Sequence, residues 1–258
     1  MRDPDEGVAP DGTIVTGARR DRVPAPFAPV VADATHLVTA VAADVSLYLY
    51  GSVATGQATV GASDVDLLTV GLPVEEARLL SRELSGRWRT VCRGVELASV
   101  PDPADLEAEG DRVYGDRVFL RHYCVHLAGP DPADALPAFP ADARAARGFN
   151  GDVAEHLDRW RTALDAGTPL PGLARRVARK TLLAVAGLVS VHDSTWTTDR
   201  ARAAARWSQV DPRLAPGLST LLAWTGLAAD ASSDEVAGVL EATVRPVVEV
   251  FADVIGLW

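Results

Sequence analysis

The chain has 258 residues, 48% hydrophobic and 23% charged, with a formal net charge of −10 at neutral pH, an ordinary globular balance on a length that allows one domain or two. That charge, with no basic stripe, argues against a sequence-independent nucleic-acid binder, and its long-range field would favour a cationic small-molecule partner. Cys92 and Cys124 offer neither a disulfide framework nor zinc spacing, no apolar run reaches membrane-span length, and the acidic start MRDPDEGVAPDG lacks a signal-peptide core, so a cytoplasmic location is expected.

Residues 1–24, rich in Pro, Asp, Gly and Arg, read as a mobile lead-in. Residues 28–43 predict a helix with Val30, Val31, Leu37, Val38 and Val41 as its apolar stripe. A first strand runs from Val45 to Tyr50, and a short helix starts at Ser52. A second strand covers Asp64 to Val70. Pro73 to Gly86 is the next helix, with Pro at its start, Glu75 and Glu76 in the first turn, and Leu79, Leu80 and Leu84 apolar. Thr90 to Val100 predicts a third strand and Val118 to Leu127 a fourth, ending at Gly129-Pro130. Together these give an α/β layout on a small mixed sheet.

Residues 129–148 carry Pro, Asp, Ala and Gly and read as a connector. Beyond them the pattern is helical. Leu173, Val177, Leu182, Val185, Leu188 and Val189 mark one long amphipathic helix, and residues 236–255 another, kinked at Pro246. The expected organisation is a lead-in over 1–24, a catalytic domain over 25–148 and an all-helical bundle of four or five helices over 149–258.

The chemistry concentrates in LYLYGSVATGQATVGASDVDLLTV, residues 47–70. Side chains two apart on a strand share a face, so Asp64 and Asp66 place two carboxylates together just past the Gly51-Ser52 turn. Burying unpaired carboxylates in a run as apolar as VDLLTV is costly, which points to a bound cation. Mg²⁺ prefers one or two carboxylates together with phosphate oxygens. Gly51 lets backbone approach a phosphate, and Ser52 at a helix start adds a hydroxyl and N–H groups. Glu96 interrupts the apolar third strand. If that strand lies beside the second, Glu96 faces the same cleft, as a general base or as a third metal ligand.

The order Gly-Ser, eleven residues, Asp-x-Asp, then a later strand with an isolated acid resembles the nucleotidyltransferase superfamily that includes DNA polymerase beta. Within it, LYLYGS, SDVDLLTV and Val95-Glu96 look like the aminoglycoside adenylyltransferases of the streptomycin/spectinomycin-resistance type, which also follow the catalytic domain with a helical bundle. The resemblance covers residues 45–100 and weakens beyond. It implies ATP as donor, Mg²⁺ as cofactor, and transfer of AMP to a hydroxyl of a small molecule with release of pyrophosphate. By carry-over Gly51, Ser52 and Ser63 touch phosphate, Asp64 and Asp66 hold metal, and Glu96 is the base. That branch carries Arg-x-Trp-Tyr in its long helix where this chain has AGLV at 186–189, and Lys-Asp where this chain has Thr198-Asp199. Arg175, Arg176, Arg179, Lys180 and Arg200 are the cations nearby, with Arg176 and Lys180 the candidates for the triphosphate.

Several other signals carry less. His122 and His126 on one predicted strand lack further ligands for a metal. Five of the six tryptophans fall in the helical half and suit core packing better than stacking on a base. Asp193 and Asp199 could meet substrate ammonium groups, although Asp199 also stands where a helix cap is wanted. The acceptor is expected in a cleft between the two domains, in a monomer or homodimer with no membrane and no nucleic-acid partner. The competing readings are a superfamily member acting on tRNA or protein, as in toxin–antitoxin systems, and a catalytically silent nucleotide-binding protein.

Overall fold

The computed structural model describes residues 3–226 and 231–258. The chain divides into two compact units. The first comprises residues 1–6 and 14–139, the second residues 7–13 and 140–258.

The first unit is built on a four-stranded mixed sheet. Its elements are α1 (Ala28–Val41), β1 (Ser46–Tyr50), the single turn α2 (Gly51–Ala54), β2 (Val65–Val70), α3 (Val74–Arg87), β3 (Val95–Val100), α4 (Asp111–Tyr123) and β4 (Val125–Ala128). The strand order is β3-β2-β1-β4. β1 runs antiparallel to β2 and β4, and β2 runs parallel to β3. α3 is the crossover that a parallel pair requires. Its start follows Pro73, and Glu75 and Glu76 in its first turn complement the helix dipole.

Alternation along the strands divides the sheet into two faces. Leu47, Leu49, Val65, Leu67, Val95 and Leu97 point into the main core, against Val30, Ala34 and Val38 of α1 and Ala77, Leu80 and Leu84 of α3. Tyr48, Val70 and Leu120 form a smaller cluster on the other face. Arg87 and the Trp88 indole both reach Asp33 of α1, at 2.7 and 2.8 Å, and tie α3 to α1.

Several sequence expectations change. The predicted strand over Val118–Leu127 is mostly helix: α4 continues to Tyr123, and only Val125–Ala128 is strand. The Val-Phe-Leu run imitates a strand, but burial falls on Gly115, Val118, Leu120 and Tyr123, close to helical spacing. The third strand begins at Val95 rather than Thr90, because residues 90–94 form the turn that brings Arg93 back to Ser63. Leu79 is 58% exposed and takes no part in the core. The expected mobile lead-in is pinned: the Asp3 carboxylate, 4% exposed, accepts from the Gly17 N–H at 2.6 Å, and Glu6 accepts from the Tyr123 hydroxyl at 2.7 Å.

The second unit is helical: α5 (Ala143–Asn150), α6 (Val153–Asp165), α7 (Leu170–His192), α8 (Arg200–Val210), α9 (Ala215–Trp224), α10 (Ser233–Val239), a π-helical segment over Leu240–Val244, and α11 (Arg245–Val254). The stretch 129–148 read as a connector thus ends in α5, whose N-terminus is capped by Asp142, and the unit begins at Pro140 instead of at 149. α7 is the central helix. Its small residues let neighbours approach; Gly187 faces Ala146 and Phe251. The π segment ends just before Pro246. Proline cannot donate to the helical ladder and its ring crowds the carbonyl four residues back, so a widened turn replaces the expected kink. Trp160, Trp196, Trp207 and Trp224 are all buried.

Candidate active site

β1 ends at Tyr50, and the chain turns directly into α2 through Gly51, whose φ of +76° lies in the left-handed region. A side chain there would run into the Asp66 carboxylate. Glycine is therefore required twice, by the backbone and by the neighbouring acid. α2 has only four residues, so the helix start expected at Ser52 supplies much less dipole than a full helix. The Ser52 carbonyl accepts from Gln57 N–H at 2.8 Å, closing the turn.

Register then aligns a row across three strands. Tyr50 pairs with Asp66, and Asp66 pairs with Glu96. All three lie on the face opposite the main core, as strand parity demands. Glu96 is exposed and Asp66 half-buried. The Tyr50 phenol is raised well above its ordinary pKa by burial and by the charges of Asp66 and Glu96, so it stays protonated as a donor beside them. Tyr50 had no signal of its own in the sequence, because only the antiparallel pairing of β1 with β2 sets it opposite Asp66.

Asp64 sits one residue before β2, not within it. Its carboxylate is 12% exposed and takes both arms of the Arg93 guanidinium, one through Nε at 3.0 Å and the other through a second, shorter contact. Arg93 belongs to the turn before β3, and its basicity is raised by the hydrogen bond to Asp64 and by the charges of Asp64, Glu96 and Asp66. A single cation thus feels all three acids. Of the three acids expected to act together, Asp66 and Glu96 stand in register, while Asp64 is paired with Arg93. Among the described residues, no group of three or more His, Cys, Asp or Glu side chains is gathered to hold a metal ion.

The donor set still fits a hard divalent cation in its chemistry. It offers carboxylate oxygens only, a bare glycine against one of them, and a positive group drawn to the same place. Ser63, next to Asp64 in the chain, is tied on both sides: its hydroxyl accepts from Thr59 N–H at 2.9 Å and its carbonyl from Arg93 N–H at 3.0 Å.

The remaining candidates lie on other elements of the chain. Lys180 lies in the second unit, its ammonium on Asp152 at 2.6 Å and on the Phe149 carbonyl at 3.0 Å. Arg176 and Arg179 are exposed on α7. Arg200 donates to the Arg179 carbonyl at 3.3 Å, and burial followed by the Arg179 charge lowers its pKa to about 10. Asp193 is held bidentately by Arg206 at 2.7 and 2.8 Å, and Asp199 caps α8 through the N–H groups of Ala201 and Arg202. His122 and His126 do not share a strand. His122, on α4, accepts from Phe139 N–H at 2.8 Å, and His126, on β4, lies 3.0 Å from the Gly129 carbonyl.

Residues 36–102 match the family model of the nucleotidyltransferase domain. The match contains β1, α2, β2, α3 and β3, and with them Tyr50, Gly51, Ser52, Ser63, Asp64, Asp66, Arg93 and Glu96. It supports nucleotidyl transfer as the general activity, on an α/β domain followed by helices. No curated protein matches the chain. Among the described residues, no helix is long and apolar enough to cross a membrane.

Proposed function

We propose that this chain transfers AMP from ATP to a hydroxyl of a small cationic acceptor, an aminoglycoside being the substrate class that its motif best suits. The observation that carries the reading is the aligned row of Tyr50, Asp66 and Glu96 beside the Gly51 turn. Asp66 and Asp64 would hold Mg²⁺, with Glu96 within the same field. Bound there, the ion would neutralise charge on the triphosphate.

The protein's own groups supply the rest. Glu96, exposed and acidic, accepts the proton of the acceptor hydroxyl. The freed oxygen bonds to the α-phosphorus while the bond from that phosphorus to the bridging oxygen breaks, and pyrophosphate leaves with the electron pair. The Tyr50 phenol, kept protonated, donates to an oxygen near the carboxylates and helps to orient it. Gly51 leaves room for this approach, and Ser52 and Ser63 border the phosphate side. An acceptor with ammonium groups is favoured by the net charge of −10.

The test is incubation of the full chain with labelled ATP, Mg²⁺ and a panel of aminoglycosides, with tRNA and protein acceptors in parallel. Label on one aminoglycoside with stoichiometric pyrophosphate supports the reading. Label on tRNA or protein replaces the acceptor class, and nucleotide binding without turnover on any acceptor overturns the transfer itself.

A further inference from the structure

We propose that Arg93 is a built-in occupant of the cation position at Asp64, exchanged for the divalent ion when nucleotide binds. The inference rests on the metal role of Asp64 proposed above and adds to it the group that must leave. β2 and β3 are parallel with Val65 opposite Val95, so the turns carrying Asp64 and Arg93 emerge at the same end of the sheet. The two side chains meet as a two-armed pair. The carboxylate is nearly enclosed, at 12% exposed, whereas the guanidinium is 47% exposed. The acid is therefore fixed and the cation is the mobile partner. The two-armed guanidinium occupies a lone pair on each carboxylate oxygen and sets its positive charge against a divalent ion approaching the same group, so the two compete for it.

The consequence is coupling. Without nucleotide, a divalent ion competes with Arg93 and binds weakly. A triphosphate brings negative charge that can receive the released guanidinium, as planar two-armed donors suit phosphate. Nucleotide and metal then each strengthen the other's binding, and by linkage the effect is reciprocal.

The experiment measures Mn²⁺ binding to the nucleotide-free full chain, by electron paramagnetic resonance, for the natural sequence, Arg93→Gln, Arg93→Lys and Asp64→Asn. Arg89→Gln, an exposed site, controls for the change in net charge. Removal of a half-exposed competitor is expected to tighten Mn²⁺ binding about tenfold in Arg93→Gln, equivalent to about 1.4 kcal/mol. Arg93→Lys stays closer to the natural sequence, Arg89→Gln is unchanged, and Asp64→Asn binds more weakly. A non-hydrolysable ATP analogue tightens Mn²⁺ more in the natural chain than in Arg93→Gln.

Equal affinity in Arg93→Gln and the natural chain, with Asp64→Asn still impaired, overturns the exchange and leaves the metal site standing. Equal tightening by Arg89→Gln also overturns it. Absence of Mn²⁺ binding in every variant, with and without the analogue, overturns the metal role of Asp64 itself. Should Arg93→Gln fail to fold, the nuclear magnetic resonance signal of the Arg93 Nε–H decides. It moves as the unaltered chain is titrated with Mg²⁺ and analogue if the exchange occurs, and an unmoved signal during saturation overturns it.

Discussion

At the scale of the residue, the three acids have separable expected effects. Asp66→Asn removes a carboxylate from the centre of the row and abolishes transfer while circular dichroism stays native. Asp64→Asn does the same and also frees Arg93. Glu96→Gln leaves ATP affinity nearly unchanged in equilibrium binding and lowers the single-turnover rate by about 10² or more, a common general-base contribution; a loss of ATP affinity instead would recast it as a metal ligand. A different residue governs acid stability. Burial, with the nearby Arg121 charge, pushes the His122 pKa down to about 4 from an ordinary 6.5. The folded state thus favours the neutral ring, and Nε2 must stay unprotonated to accept from Phe139. The unfolded chain binds a proton first as pH falls through 6.5, so stability is full above 6.5 and declines until about pH 4. Discounted for partial exposure, the loss is about 1–2 kcal/mol. Urea titrations at pH 7 and pH 4.5 measure it, and His122→Gln, which keeps an acceptor but cannot titrate, reduces the difference by that amount.

At the scale of the element, glycines define where chains touch. Gly51→Ala places a methyl against Asp66 in a left-handed backbone. Strain and overlap together are expected to cost about 2–4 kcal/mol, read by thermal melting, and to displace Asp66 from its row. In α9, a methyl on Gly217 would lie 2.7 Å from the Thr243 Cβ in the π segment. Gly217→Ala therefore destabilises by about 1–3 kcal/mol, and adding Thr243→Ala restores part of it, a coupling that a double-mutant cycle quantifies. The catalytic elements were legible because their sequence is locally consistent. The alternation of VDLLTV and VELASV, the Gly-Ser turn and the acid-rich start of α3 each point to the observed element. α4 was not legible, because its charged residues interrupt a short apolar run and burial within the fold decides its type. The in-register partnership of Tyr50, Asp66 and Glu96 is also set by strand order, which no local pattern encodes. Arg93 was overlooked for the same reason: only the parallel pairing of β2 with β3 brings it to Asp64.

At the scale of the whole molecule, the chain passes from one compact unit to the other at residues 6/7, 13/14 and 139/140. Its first residues are consequently structural. Removal of residues 1–6 deletes the Asp3 acceptor of the Gly17 N–H and the Glu6 acceptor of the Tyr123 hydroxyl, and is expected to lower the unfolding free energy by about 1–3 kcal/mol. Chemical denaturation of the shortened chain measures this, and an unchanged midpoint would show that water replaces both acceptors. The sheet alignment has one more outcome, in the arithmetic of insertions. An odd number of residues added between Val65 and Asp66 would swing the second aspartate from its open face into the leucine-lined interior, whereas an even number would return it to the original side one repeat further along. Natural length variation at this site would therefore be confined to the bend before β2, where no pleat counts the residues.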